Sequence, residues 1–80
     1  MDKTNELLGR IIIDPKVMVG QPVVKGTRIT VQNILSLLIQ GISDKEILMN
    51  YPNLKQDDIY ACIAFAAKVM EDATFVPLRY

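Results

Sequence analysis

The sequence predicts a small α+β domain that is mostly α: a short N-terminal β-ribbon followed by a three-helix, helix–turn–helix-like bundle. Three observations predict it. Two brief β-branched runs, Arg10-Ile-Ile-Ile13 and Val23-Val24, lie close together and are separated by turn-forming residues. From Thr30 onward apolar residues recur at helical spacing in three stretches, divided by Gly41 and Pro52. The chain has 80 residues, half of them apolar and 22% charged, which is the length of one domain and a balance that excludes disorder.

Residues 1–9 read as a polar lead without periodicity, residues 10–72 as a single domain, and residues 73–80 as a C-terminal tail. Asp14-Pro15 stops the first β run, and Pro22 places the second at an edge. A two-stranded ribbon alone is marginal in water, so it needs helices beneath it or another ribbon beside it. Gly26 supplies a turn and Thr27 bonds locally. Thr30 is a good N-cap, since its hydroxyl can accept from a free first-turn amide. Val31, Ile34, Leu35, Leu38 and Ile42 then form one helical face, which Gly41 closes in a left-handed conformation. Ser43-Asp-Lys-Glu46 has the form of a capping box opening a second helix, with Ile47, Leu48 and Tyr51 on its buried side and Pro52 ending it. A third helix starts near Lys55 or Gln56 and runs to about Asp72. Its core stripe is expected at Ile59, Cys62, Ile63, Ala66 and Met70, and Asp57 and Asp58 favour its N-terminal dipole.

Composition narrows the chemistry. With one cysteine and no histidine, disulfides and zinc are not available as staples, and no cofactor or metal is expected. A lone cysteine and the lack of an N-terminal apolar segment fit a cytoplasmic protein, and no apolar run reaches membrane-span length. Asp57 and Asp58 point about 100° apart on a helix and do not form a dyad, Cys62 lies on the core stripe, and Ser43 serves as a cap. Catalysis is therefore not expected. The run from Gly20 to Thr27 lacks the spacing of a phosphate loop, because Lys25 precedes the second glycine.

Binding is the better-supported class. The second helix, the turn at Tyr51–Leu54 and the third helix have helix–turn–helix lengths, which makes Lys55, Gln56 and Tyr60 candidate DNA contacts, with Lys25 and Arg28 on the preceding loop. Nine basic and nine acidic residues cancel, and Asp57 and Asp58 would face phosphates, so a partner-binding scaffold competes with a DNA reader. The third helix is apolar almost all round. Together with Leu37 and Ile39 on the first helix, Ala61, Ala64 and Phe65 are candidate interface residues for a homo-oligomer, a dimer first of all.

The segments Ile13-Asp-Pro15, Gly20-Gln-Pro-Val-Val-Lys-Gly-Thr-Arg-Ile-Thr-Val31, Gln40-Gly-Ile-Ser43 and Tyr51-Pro-Asn-Leu54, with the Ala-rich helix from Asp58, resemble the bacterial family called domain of unknown function 433. The resemblance covers about residues 10–72. It implies a helix–turn–helix fold of the winged-helix or homeodomain-like kind. It also implies an antitoxin-like role, in which the chain neutralises a small PIN-like nuclease toxin encoded beside it and binds its promoter DNA. The alternatives are a DNA-binding regulator without a toxin and a purely structural oligomerisation module. Lys55 departs from the family pattern, which often has Thr or Ser there as an N-cap. Under the antitoxin reading, Phe75, Pro77, Leu78, Arg79 and Tyr80 are candidate partner contacts, with Arg79 facing the nuclease carboxylates.

Overall fold

The computed structural model describes residues 3–72. The ribbon is present. Strands β1 (Ile11–Ile12) and β2 (Val23–Val24) pair antiparallel, with Ile11 opposite Val24 and Ile12 opposite Val23. On its other side β2 is met by the returning chain: the Val24 amide donates to the Ile29 carbonyl at 3.0 Å, and the Val31 amide to the Pro22 carbonyl at 2.9 Å. A tight turn makes that return possible. Thr27 donates its amide to the Val24 carbonyl (3.0 Å) around Gly26, whose φ of +81° is the left-handed value that a type II turn requires at its third position. The Thr27 hydroxyl also donates to Val24 and accepts from the Ile29 amide. Val23 and Val24 are consequently held from both sides and fully buried.

Among the described residues four α-helices accompany the ribbon: α1 (Thr4–Leu8), α2 (Val31–Ile39), α3 (Asp44–Asn50) and α4 (Gln56–Asp72). The caps expected at Thr30 and Ser43 form, with the side chains accepting from the Asn33 and Glu46 amides. After α2 the Gly41 amide donates to Leu38 and the Ile42 amide to Leu37, the paired bonds of a Schellman motif, with Gly41 at φ +86°. The core joins Val24, Val31, Ile34, Ile47, Leu54, Ile59 and Cys62, with Leu35, Leu38, Ile42, Leu48 and Tyr51 packed around it.

Two expectations need correction. Residues 1–9 are not a plain polar lead, because Thr4–Leu8 forms α1 and packs on α4. Five residues cannot sustain a helix alone. What makes this one form is the long helix beside it, and no periodic signal fits in one turn and a half. The stripe expected on α4 also holds only in part. Ile59 and Cys62 are buried as expected, together with Asp58 and Ala61, whereas Ile63 is 45% and Met70 62% exposed. Asp57, Ala61 and Ala64 share a face by their i, i+4, i+7 spacing, and Asp57 lines a hollow with Lys3, Glu6, Leu7 and Arg10. Helix α1 therefore covers that face. Ala61 is fully buried inside its own chain, so it is unavailable as a copy-to-copy contact.

Candidate functional site

The start of α4 is fixed by a polar cluster that the linear pattern hides. Lys55 offers no side-chain cap, and its amide donates instead to the Asp58 carboxylate at 2.9 Å. This is the returning half of a capping box with a residue of the wrong type at its first position. The other Asp58 oxygen accepts from Arg10 Nη1 at 3.0 Å, and Arg10 Nη2 lies 3.6 Å from Asp57. Arg10 thus ties the segment between α1 and β1 to the first turn of α4. Asp58 is 7% exposed with its acceptor oxygens partnered, so its burial is compensated rather than costly.

These bonds set what α4 can do at this end. The carboxylates of Asp57 and Asp58 converge on Arg10, not on a reacting atom. Burial, with the Asp58 charge adding to it, pushes the Cys62 thiol up to about 11, so it is neutral and unreactive at neutral pH. Gln56 is occupied too, donating to Asp44 at 2.7 Å. Of the residues expected to touch DNA, Lys25, Arg28, Lys55 and Tyr60 are exposed, the first two on the tight loop and the others at the head of α4.

The second half of α4 is different. Tyr60, Ile63, Ala67 and Met70 follow one another at i, i+3, i+7 and i+10, are all exposed, and form an uncharged outer stripe. Lys68 is off this stripe and is drawn towards Glu71 and Asp72, at 3.9 and 3.5 Å. On the side facing α2, Phe65, Ala66, Val69 and Met70 form one wall of an open apolar groove of about 390 Å³. Val31, Gln32 and Leu35 of α2 form the other wall, and Gln21 and Pro22 close one end. Among the expected oligomer contacts, Phe65 is half-buried in this groove, Leu37 packs against the core, Ala64 is half-buried, and Ile39 is exposed.

Beside the groove the backbone is strained. Met18, Val19 and Gly20 take φ values of 48°, 57° and 78° in succession, although only glycine adopts them freely. Two non-glycine residues there cost about 1–2 kcal/mol each. The bend is held by Val17 donating to Asp14, Gly20 to Val17 and Gln21 to Met18. Its outcome is a valine side chain at Val19 that is 93% exposed.

With this geometry in place, the segments singled out in the sequence have structural counterparts, and residues 11–66 match the model of the family described as a protein of unknown function, DUF433. The chain belongs to the DUF433 family. Its fold is similar to the crystal structure of a DUF433 member protein from Anabaena variabilis ATCC 29413, with a TM-score of 0.74 and 36% identity over 84% of this chain. The chain spans 66% of that protein's length, just under two thirds. No curated protein matches.

In this DUF433 chain the segment Gly20–Val31 acts as scaffold, bonded to itself and to β1 as described above. The residues that sequence reasoning missed are Arg10, Asp58 and Val19. The Arg10 contact to Asp58 spans 48 positions, so no local spacing announces it. Nothing in a Met-Val pair announces left-handed backbone either, and only Gly20 beside it gave a hint. The tail residues Phe75, Pro77, Leu78, Arg79 and Tyr80 lie outside the described residues. No helix among the described residues is long and apolar enough to cross a membrane.

Proposed function

We propose that this chain is a non-enzymatic protein-binding module, the antitoxin-like partner of a small PIN-like nuclease. The observation that supports a protein partner over a nucleic acid is the outer stripe of α4. In a helix–turn–helix reading, α3, the turn at residues 51–55 and α4 make the motif, and α4 would enter the major groove. Past its first turn that helix offers Tyr60, Ile63, Ala67 and Met70, apolar or aromatic side chains where phosphates and base edges call for cations and amides. A contiguous exposed apolar stripe is instead the mark of a protein interface. The family resemblance supplies the nuclease as the partner class.

The test is co-purification with the nuclease encoded beside this chain's own gene, followed by an RNA-cleavage assay. Wild-type chain should bind the nuclease and suppress cleavage, and Ile63→Asp should do neither while keeping its helical circular dichroism. Deleting residues 74–80 tests the tail separately. A nuclease that ignores the chain, or binds Ile63→Asp equally well, contradicts the reading. Promoter binding, if it accompanies neutralisation, should involve Lys25, Arg28 and Lys55 and weaken steeply with salt.

A further inference from the structure

We propose that a second copy of this chain seats on the groove between α2 and α4, each copy inserting Val19 into the groove of the other. The lining contains no charged residue, and its polar members are Gln21 and Gln32, so the groove suits an apolar occupant. The chain carries such an occupant beside it. Val19 is 93% exposed and lies two positions before Gln21, which lines the groove. Left-handed backbone at Met18 and Val19 holds it there.

Strain that persists in a small domain is offset somewhere. Three backbone hydrogen bonds hold the bend, but burial of Val19 among the described residues adds nothing, because Val19 is in solvent. Burial against a neighbour would add to them.

A projecting side chain and a hollow close together are the two halves of a self-complementary contact. A two-fold axis lying in the interface between them brings each Val19 over the partner's groove, so both contacts form at once. The groove, Val19 and the exposed ends of Val69 and Met70 form one apolar patch. Exposed apolar patches mark association sites, and a standard interface buries about 800 Å² per partner, so the patch is the centre of the contact and the surface around it supplies the rest. The surface shares only Met70 with the outer stripe and leaves out Tyr60, Ile63 and Ala67, so the inference does not depend on the nuclease reading.

The experiment is sedimentation equilibrium of the full chain across concentration, with two variants. Val19→Gly removes the projecting group and also relieves the left-handed strain, so it should fold at least as well as wild type. Ala66→Phe fills the groove and leaves Val19 in place. Burying one valine is worth roughly tenfold in an equilibrium constant and each dimer loses two, so Val19→Gly should raise the dimer Kd roughly a hundredfold. Ala66→Phe should weaken it comparably. Mixing the two restores one intact contact, so the mixed pair should associate more tightly than either variant with itself.

A wild-type chain that remains monomeric at about 100 µM overturns the proposal and leaves the groove to a different protein. So does a Val19→Gly chain that dimerises like wild type, which would place the interface elsewhere. If Ala66→Phe fails to fold, Val19→Gly alone decides.

Discussion

The two halves of α4 have similar apolar content and opposite situations. Apart from Tyr60, the helix from Gln56 to Cys62 is enclosed: α1 lies on one side, the core on another, and Arg10, Asp58 and the Lys55 amide secure its first turn. From Ile63 to Asp72 it runs on with apolar side chains exposed on its outer stripe and half-exposed along the groove. The first half is surface hidden by the chain itself, and the second is surface that the described residues leave largely uncovered. Hydrophobicity along a helix therefore does not reveal which part is core and which part is interface. The cover does.

Substitutions at matched positions in the two halves should separate them. Ile59→Ala empties a fully buried site and should cost about 3 kcal/mol in chemical denaturation of the isolated chain. Ile63→Ala, four residues on and exposed, should change monomer stability by less than about 0.5 kcal/mol. Equal costs would mean that the halves do not differ. Asp58→Ala removes the acceptor of the Lys55 amide and the partner of Arg10. It should cost about 2 kcal/mol, moderated because Arg10 is partly exposed, whereas Asp58→Asn keeps the amide bond and should cost about half as much.

Cys62 gives the enclosed half a pH signature. Burial, with the Asp58 charge, pushes its thiol up from 9.0 to about 11 in the folded chain, so ionisation favours the unfolded chain. The contribution is complete below pH 9 and disappears as pH rises towards 11, a loss on the order of 2 kcal/mol. Denaturation series at pH 8 and pH 10.5 should show this loss in wild type and not in Cys62→Ala. The smallest effect is expected at Lys55. Lys55→Ser would complete the capping box that Asp58 already half-forms, raising stability by about 0.5 kcal/mol with no change in the second half of the helix.

Much of this architecture was legible in the residues. The ribbon, the caps at Thr30 and Ser43, the Gly41 terminator and the start of α4 all follow from local chemistry, in which a side chain acts on backbone within a few positions. What the sequence concealed depends on distant or induced contacts. Helix α1 is too short to show a period and forms against α4. Asp58 would read as a solvated first-turn acid until Arg10 is brought to it from 48 positions away. The same cause decides the rest of the α4 stripe: Ile59 and Cys62 are buried as the spacing predicts, but packing against α1 buries Ala61 and leaves Ile63 exposed, which no spacing shows.

The difference between the halves of α4 is tested most directly by amide hydrogen exchange, resolved along the helix in dilute and in concentrated solution. If the second half is surface awaiting a second copy of the chain, amides of residues 58–62 should exchange slowly at both concentrations, and those of 63–72 should slow markedly only when the chain is concentrated. Residues 63–72 that are as protected when dilute as when concentrated would contradict the account.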